Sequence, residues 1–412
     1  MSEYGRILLT LAECCLMKTA QGKVPEEGLQ PHVVHEFISR LASMDSNNRF
    51  DMIKVGAGER EGRVVSHTVN QLHIGLAHGI GRSGNLFEKQ PKASGSTILG
   101  DLANRLVLDA IKNLGITCAN YALIVPVATG MALMLCLNAW RRLKPLAKFV
   151  VFLRIDQRSC FKAIIAAGFE PIVIDCIKHQ KDECLTTDVK KLQNILEARG
   201  TEILAVMSTT SCFAPRSPDC IVNVGQLCKA YSVKHLVNNA YDAVVQSLDK
   251  NFLVPVGGAV IVTFVKDDIA SISNVYAGRA SIVPSRDLLI TVLELGRMGL
   301  QRLYSVQEKN FIVLRDHLSE FAASIDERIF DVPDNLISLA MTLSKWTKEQ
   351  QFELGSALFK RGVTGARVIL SGMNKCVDGY SFENYGSHSS LTHCGYLNVA
   401  CAIGKFESDL RM

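Results

Sequence analysis

The spacing of apolar residues changes twice along this chain of 412 residues. Two early stretches, Ile7 to Met17 and His32 to Met44, carry apolar residues at intervals of three and four, the period of an amphipathic helix. Residues 56 to 97 lack a sustained period and are rich in Gly, Arg, Ser and Lys, which predicts loops around something polar. From residue 98 onward, helix-like and strand-like segments alternate.

This alternation predicts an α/β fold with a mostly parallel sheet that is covered by helices on both faces. One step does not fit: the strand that ends near Asn239 and the strand that begins near Ala243 are almost adjacent, whereas parallel neighbours need a crossover of roughly a dozen residues. The predicted helices are Ile98–Asn113, Met131–Arg142, Cys160–Ala167, Leu185–Arg199 and Ile221–Tyr231, and the predicted strands are Ala122–Val127, Lys148–Leu153, Pro171–Asp175, Glu202–Met207, His235–Asn239 and Gly257–Phe264.

The last third of the chain predicts a second, smaller α+β domain. A long helix that is charged on one side, Leu288 to Ser324, suits a linker into this domain. We therefore expect a helical extension with a polar loop at 1–97, a large α/β domain at 98–290, and the linker helix with the small domain at 291–412. Within the small domain the pattern predicts strands at Ile337–Leu343 and Arg367–Leu370 and helices at Lys348–Arg361 and Leu397–Ile403.

Composition narrows the class of protein but not its function. A hydrophobic fraction of 48% and a charged fraction of 21% are those of an ordinary globular protein. The net charge of +5 is compatible with an anionic partner without indicating one. Thirteen scattered cysteines without framework spacing favour reduced thiols, and the N-terminus has no signal-peptide layout. The apolar stretch Tyr121 to Trp140 is interrupted by Pro126 and a turn, so we predict a soluble, cytoplasmic protein.

Two polar segments are candidates for anion binding. Ala128-Thr129-Gly130 lies between a predicted strand and a predicted helix, where backbone N–H groups and a hydroxyl suit one phosphate; a plain turn capped by Thr129 is the alternative. The segment Gly81 to Ser96 combines flexible backbone, amides and the cations Arg82, Lys89 and Lys92, which suits a phosphorylated substrate, with a solvated loop as the alternative. The G-x-G-x-x-G pattern inside Gly79 to Gly84 does not follow a strand, which argues against a dinucleotide site.

Lys250 is the candidate nucleophile. It lies between a predicted buried strand and the Gly257-Gly258 turn, and a lysine amine that is held against an interior becomes neutral and nucleophilic. Ser247-x-x-Lys250 also matches the S-x-x-K pattern of serine acyl-enzymes, but the companion motifs of those enzymes are absent. No His, Cys or carboxylate cluster has the spacing of metal ligands, so we expect no metal.

Longer strings make the chain recognisable. They are, in chain order, Met44–Asn48, Gly58–Val64, His78–Gly84, Gln90–Ala93, Ala128–Met131, Arg154–Gln157, Ser159–Lys162, Ser208–Arg216, Val237–Tyr241, Gln246–Phe252, Gly278–Ser281 and Gly365–Arg367. Together they resemble the O-phosphoseryl-tRNA(Sec) selenium transferases, the selenocysteine synthases of eukaryotes and archaea. The resemblance runs from about residue 44 to residue 404. It implies a pyridoxal-phosphate (PLP) enzyme of fold type I, with a mostly parallel, seven-stranded sheet in the large domain.

The resemblance also implies which residues hold the cofactor. Lys250 would bind PLP covalently and later move the substrate Cα proton, and Gln157 and Asn238 would contact the pyridoxal ring. Most fold-type I enzymes place an aspartate at the ring nitrogen, so a neutral Asn238 should favour elimination over transamination. The residues that would anchor the cofactor phosphate are Arg60, Ala128, Thr129 and Gly130.

The substrate contacts follow from the same resemblance. Glu59 would repel a free α-carboxylate, so that only the tRNA ester is accepted. Arg361 matches an arginine that contacts tRNA. The residues expected to bind the phosphoseryl phosphate are Arg82, Ser83, Gln90, Lys92 and Arg279.

The implied reaction converts O-phosphoseryl-tRNA(Sec) to selenocysteinyl-tRNA(Sec) by loss of phosphate and addition of selenium from selenophosphate. Family members are homotetramers, and we expect neither a membrane nor a DNA partner. This chain lacks a family segment after Tyr241 and ends at Met412, before a helical tail that helps to bind tRNA in the family. The alternative is therefore a catalytically inactive, internally deleted isoform that keeps tRNA binding or subunit assembly.

Overall fold

The computed structural model describes residues 19–48, 62–178, 184–239 and 245–405. The chain forms two compact units. The first comprises Met1–Trp140 with Asp242–Arg302, and the second comprises Arg141–Tyr241 with Leu303–Met412. The domain boundaries drawn from the sequence at 97/98 and 290/291 stay a prediction.

The first unit is built on three strands, of which the central one pairs with the other two. Strands β1 (Tyr121–Val125), β8 (Val245–Ser247) and β9 (Ala259–Thr263) lie in the order β1-β9-β8. β9 is antiparallel to both neighbours, so β1 and β8 run parallel to each other. Almost every residue of these strands is buried and many are β-branched, as expected for strands with both faces covered.

The helices of the first unit position the segment at residues 81–96, here called the polar loop, which precedes the sheet. They are α1 (Pro31–Ala42), α2 (His67–Leu72), α3 (Ser94–Asn113), α4 (Thr129–Arg141), α8 (Leu248–Asn251), α9 (Lys266–Ser273) and the first part of α10 (Val283–Ser324). The buried Asp45 carboxylate accepts hydrogen bonds from the backbone N–H and the hydroxyl of Ser96, which ties the start of α3 to the end of α1. Gly95 is required there, because a Cβ would lie 1.7 Å from the Leu41 carbonyl oxygen.

The second unit contains four parallel strands in the order β7-β6-β2-β3. The central strand β6 is buried along its whole length. Helices α5 (Arg158–Ala166), α6 (Val189–Arg199) and α7 (Ile221–Ala230) belong to this βα arrangement, and α6 and α7 pack Leu192, Leu196 and Val224 into one core with the strands. The strand bounds are β2 Phe149–Leu153, β3 Glu170–Ile174, β6 Ile203–Thr209 and β7 Lys234–Asn239, with a separate hairpin of β4 (Cys176–Lys178) and β5 (Leu185–Thr187).

A small antiparallel sheet also lies in the second unit. Its order is β10-β14-β11, and its core packs against α11 (Lys348–Lys360) and the second part of α10. The strands are β10 Ser338–Thr342, β11 Arg367–Ile369 and β14 Tyr396–Ala400, beside the hairpin of β12 (Lys375–Val377) and β13 (Tyr380–Phe382).

The prediction of a helix at Leu397–Ile403 is wrong. These residues begin inside β14, which pairs with a strand on each side and buries Leu397 and Val399 in the core of the small sheet. Pairing on both edges outweighs the weak local preference of so short an apolar run.

The predicted long helix is confirmed but is interrupted. α10 contains Gly296 at φ 64° and ψ −178°, outside the helical region, beside the backbone of Glu27 and Gly28. The predicted helix Ile7–Met17 and the missing segment after Tyr241 lie outside the described residues. Among the described helices, none is long and apolar enough to cross a membrane.

Candidate active site

In the first unit, two chain segments leave the sheet at the same edge. Val125, the last residue of β1, and Ser247, the last residue of β8, both lie opposite Ala259 of β9. The two strands are parallel and two sheet positions apart, so their carboxyl ends lie about 10 Å from each other. Ligands of α/β proteins bind at this kind of edge. It brings the turn at residues 128–130 and the helix that carries Lys250 to the same place.

The turn after β1 begins a 13-residue helix. The Ala128 carbonyl accepts hydrogen bonds from the N–H groups of Met131 and Ala132, at 2.9 and 3.1 Å. The preceding N–H groups, those of Thr129 and Gly130, belong to the first turn, where backbone donors have no acceptor within the helix. Ala128 is exposed and the next two residues are half-buried. The start of α4 therefore offers accessible donors and a helix dipole to one anionic group.

Lys250 is exposed, contrary to the expectation that its amine is held against the interior. Its side chain is 55% exposed. The cause is the short helix α8, which buries Leu248 and Asn251 and leaves Lys250 on the opposite side. The amine lies 3.4 Å from the Ser247 hydroxyl and 3.5 Å from the Asp249 carboxylate. The Ser247 hydroxyl also donates to Asp249, so the amine is accessible and is held by two connected oxygen groups.

Arg279 lies beside the polar loop because of a two-residue bridge. Ile80 and Ala280 exchange both backbone hydrogen bonds, each 3.0 Å long. The Arg279 guanidinium donates to the carbonyl of His78. The bridge needs Gly79, because a Cβ there would lie 2.3 Å from the Ala280 carbonyl oxygen.

The tip of the loop is a tight turn that presents Arg82 and Ser83 to solvent. Arg82 and Asn85 exchange two backbone hydrogen bonds of 2.9 Å, and both central residues, Ser83 and Gly84, have positive φ. The Ser273 hydroxyl, at the end of α9, donates to the Asn85 side chain and accepts from the next two backbone N–H groups. The turn is therefore fixed at its base while its exposed tip stays available to a ligand.

The other two predicted phosphate-loop residues lie just before α3. Gln90 is buried, and its backbone bonds to Thr97 and Ala93 set the course of the chain into the helix. Lys92 is half-buried, and its carbonyl accepts from the Ser46 N–H at 2.8 Å. All the described residues predicted to bind the phosphoseryl phosphate thus lie in the first unit, together with Lys250.

In the second unit, Gln157 and Asn238 meet at the carboxyl ends of β2 and β7. The Asn238 amide nitrogen donates to Gln157 Oε1 at 3.3 Å and to Cys160 Sγ at 3.2 Å. The Cys160 thiol in turn lies 3.3 Å from the same Gln157 oxygen. The predicted ring contacts therefore form a closed three-residue cluster whose third member is a buried cysteine.

A buried carboxylate fixes the backbone just before this cluster. Asp156 accepts from the Arg154 guanidinium at 3.0 Å and from the backbone N–H groups of Gly386 and His388 at 2.7 and 2.8 Å. Arg154 also bonds to Asp175 and to the Glu383 carbonyl. The segment that carries Gln157 is thus attached to a loop more than 200 residues away in the sequence.

His388 completes this attachment as a hydrogen-bond acceptor. The Asp156 N–H donates to His388 Nδ1 at 2.9 Å, which requires a neutral ring with its proton on Nε2. Burial lowers the pKa of His388 to about 4, although the Asp156 carboxylate acts in the opposite direction. Burial likewise lowers the pKa of His235, on β7, to about 4.

The remaining predicted site residues are Arg361, Glu59 and Arg60. Arg361 is exposed at the C-terminus of α11 in the second unit. Glu59 and Arg60 lie outside the described residues. Within the described part of the chain, no group of three or more His, Cys, Asp or Glu side chains is placed to hold a metal ion.

Sequence reasoning missed the residues that support the site. The three-residue spacing of Gln157 and Cys160 at a helix start was the only local sign that the two side chains meet. Ser273 and His388 gave no sign, because each contacts its partner across roughly 190 to 230 residues of sequence.

Comparison with known proteins identifies the family. A family model described as O-phosphoseryl-tRNA(Sec) selenium transferase, SepSecS, matches residues 44–412. The chain belongs to this family. A Caenorhabditis elegans O-phosphoseryl-tRNA(Sec) selenium transferase is 48% identical over 430 residues, covering 99% of this chain and 89% of the relative. This coverage does not support the alternative of an inactive isoform.

Solved structures confirm the fold. An archaeal O-phosphoseryl-tRNA(Sec) selenium transferase has a TM-score of 0.87 at 28% identity, covering 99% of this chain and 94% of that one. An Oryza sativa protein, TDC, solved with PLP and tryptamine, shares the fold with a TM-score of 0.59 at 13% identity, covering 100% of this chain and 96% of its own. The fold is therefore that of the fold-type I PLP enzymes, and PLP is the cofactor of this transferase.

The buried histidines predict how stability depends on pH. An unfolded histidine has a pKa near 6.5, whereas His388 and His235 have values of about 4 in the folded chain. Above pH 6.5 these histidines are neutral in both the folded and the unfolded chain, and their contribution to stability is complete. As the pH falls from 6.5 toward 4, the unfolded histidines gain a proton and the folded ones do not. The free energy of unfolding therefore falls by at most about 3 kcal/mol for each histidine.

The substitution His388→Asn tests this for one residue. Asparagine tolerates the positive φ of this position and keeps an acceptor for the Asp156 N–H. Urea unfolding of the variant should depend less steeply on pH between 6.5 and 4, while His317→Asn, at an exposed position of α10, should follow the unmodified protein. Equal slopes for all three proteins would contradict the assignment of a neutral, buried His388.

Proposed function

We propose that this chain converts O-phosphoseryl-tRNA(Sec) to selenocysteinyl-tRNA(Sec), with selenophosphate as the selenium donor. The observation that carries the proposal is the shared sheet edge of the first unit. The chain after β8, which carries the exposed Lys250 amine, and the chain after β1, which begins α4, emerge together at this edge. The loop with Arg82 and Ser83, together with Arg279 beside it, supplies the phosphate-binding chemistry that this substrate needs.

The residues that the family resemblance assigns to the cofactor have the chemistry that PLP needs. Thr129 and Gly130 hold its phosphate at the start of α4, with Ala128 closing the turn and Arg60 contributing a cation. Lys250 would hold the cofactor covalently through its amine. Gln157 and Asn238 contact the ring with the amide groups that their cluster orients. When bound, the cofactor supplies an electron-withdrawing ring that stabilises negative charge at the substrate Cα.

Lys250 also moves the proton at Cα. With the substrate bound, the Lys250 amine would remove the proton at the substrate Cα as a general base. Ser247 and Asp249 support this step, since their oxygen atoms lie 3.4 and 3.5 Å from the lysine nitrogen and would accept hydrogen bonds from the ammonium group that forms. The lysine remains accessible throughout because of its place on the exposed side of α8.

The polar loop binds the phosphate that leaves. Arg82 and Arg279 make charge-assisted hydrogen bonds to its oxygens, and both stabilise the negative charge that grows as the Cβ–O bond breaks. Ser83, Gln90 and Lys92 complete the phosphate site. Selenium from selenophosphate then adds at Cβ, water cleaves its bond to phosphorus so that a second phosphate is released, and the Lys250 ammonium returns a proton to Cα.

Glu59 and Arg361 select the tRNA ester. The Glu59 carboxylate repels a free amino acid, because two carboxylates in a partly dry site interact unfavourably. Arg361 contacts tRNA from its exposed place at the end of α11.

The assembly is a cytoplasmic homotetramer. Large apolar side chains such as Val65, Leu146 and Val256 are 99%, 85% and 81% exposed on one chain, which supports their coverage by further subunits. The described cysteines are free thiols, which supports a reducing compartment.

Lys250→Ala tests the proposed cofactor site. The purified chain with PLP should show a visible absorption band, and borohydride reduction followed by peptide mapping should place the adduct on Lys250. The alanine variant should lose the adduct and at least about 1,000-fold in turnover, since it lacks both covalent bond and base. Lys266→Ala, at an exposed position of α9, is the matched control. An adduct that maps to another lysine would contradict the proposal.

Arg82→Gln tests the proposed phosphate site. Loss of one charge-assisted contact should lower kcat/KM for O-phosphoseryl-tRNA(Sec) by about 10- to 100-fold. PLP affinity should stay unchanged, because Arg82 is assigned to the substrate. Arg302→Gln, at an exposed position of α10, should behave like the unmodified protein. A variant with normal kcat/KM would exclude Arg82 from phosphate binding.

A further inference from the structure

Two chain segments of the first unit, residues 80–87 and 273–280, are attached to each other at two points. One attachment is the bridge between Ile80 and Ala280, at the start of the first segment and the end of the second. The other lies at Ser273, the last residue of α9, which binds the far end of the first segment. The order of the attachments is that of an antiparallel pair, so each segment limits the position of the other.

Each segment carries a cation that the proposed function assigns to the phosphate of the substrate. Arg279 adjoins the bridge and is held there, because its guanidinium donates to the His78 carbonyl. Arg82 is exposed and lies between the two attachments, in the turn at the tip of the polar loop. The position of Arg82 relative to the second segment therefore depends on both attachments.

The Ser273 hydroxyl makes three hydrogen bonds, all to the residues that close this turn. It accepts from the backbone N–H groups of Leu86 at 3.0 Å and Phe87 at 3.2 Å, and it donates to Asn85 Oδ1 at 2.8 Å. The directions are fixed, because backbone N–H groups can only donate and leave the hydroxyl hydrogen for Asn85. The Asn85 oxygen also accepts from the Phe87 N–H at 2.9 Å, so a rotated amide would place its NH₂ group against that donor.

The turn needs this attachment because its backbone is strained. Ser83 has a φ of 51°, in the left-handed region, and such strain persists only where the surroundings hold it. Ser273 is fully buried, so water does not compete for its hydroxyl. Its helix is fixed in turn, since the Asp268 carboxylate accepts from the indole N–H of Trp140, on α4, at 3.0 Å.

We infer that Ser273 is a positioning residue that acts through Asn85. It holds the strained turn in the form that brings Arg82 to the same phosphate as Arg279. The one hydrogen and two lone pairs of the Ser273 hydroxyl are all used within the protein, so its effect on the substrate passes through the turn. This inference rests on the proposed function, which assigns both cations to that phosphate.

The substitution Ser273→Ala tests the inference in the PLP-loaded, full-length protein. It should lower kcat/KM for O-phosphoseryl-tRNA(Sec) about 5- to 10-fold and raise the inhibition constant of inorganic phosphate by a similar factor. Because PLP occupies the cofactor site, inorganic phosphate reports on the substrate site. Ser273→Thr keeps the hydroxyl and should restore most of both properties. Ser285→Ala changes another buried serine of the first unit, on α10, and should alter neither property.

A double-mutant cycle separates positioning from general packing. In the Arg82→Gln background the cation that Ser273 positions is already absent. Ser273→Ala should therefore lower kcat/KM by at most about a further twofold in that background. Thermal unfolding of each variant reports the packing cost independently of kcat/KM.

The outcomes distinguish the inference from the proposed function. No turnover of O-phosphoseryl-tRNA(Sec) by the unmodified, PLP-loaded protein would defeat the proposed function itself. Normal turnover together with unchanged kcat/KM and phosphate inhibition in Ser273→Ala would overturn the inference alone. An equal loss in the Arg82→Gln background would also overturn it, because the effect would then not pass through Arg82.

Two further variants keep the test decisive. A Ser273→Thr protein that unfolds at the normal temperature but shows the loss seen with alanine would contradict the inference, since its hydroxyl is retained. Should Ser273→Ala fail to fold, Asn85→Ala removes the other partner of the same hydrogen bond and takes its place in the cycle. The same results would then support or overturn the inference.

Discussion

The pairing of two strands with Ala259 is the constraint on which the site of the first unit depends. Since Val125 and Ser247 both face this residue across the sheet, the chain after β1 and the chain after β8 must emerge at the same edge. One segment supplies backbone donors at a helix start and the other supplies an amine. Neither feature alone specifies a function. We propose that their common position forms a site for a molecule that carries both a phosphate and a carbonyl group.

The candidate residues of the second unit are also brought together by strand pairing, but their side chains carry amide groups instead of charges. Parallel strands bring Gln157 and Asn238 to one edge, and a buried ionic group behind them, Asp156 with Arg154, fixes the backbone. Removal of one partner from such a group is costly, because it leaves a buried charge without compensation. This ionic group therefore fixes the backbone that carries Gln157.

The sequence allowed the main sheet and its helices to be predicted, because buried parallel strands and amphipathic helices have distinct periods. The prediction failed at β14, whose short apolar run is a strand because it pairs with a strand on each side. The hairpin of β12 and β13 was missed although Asp378-Gly379 is a typical two-residue turn. For the site, the resemblance indicated Lys250 and Thr129, but the expected burial of Lys250 was wrong, since the rotation of a one-turn helix cannot be deduced from composition.

We expect this chain to carry out the reaction of its family. The most direct measurement incubates the purified, PLP-loaded protein with O-phosphoseryl-tRNA(Sec) and selenophosphate, and follows phosphate release and selenocysteinyl-tRNA(Sec) together. The account predicts that the tRNA-bound seryl phosphate is lost in step with formation of selenocysteinyl-tRNA(Sec), and that free phosphoserine does not react. A protein that carries PLP on Lys250 but forms no selenocysteinyl-tRNA(Sec) would contradict it.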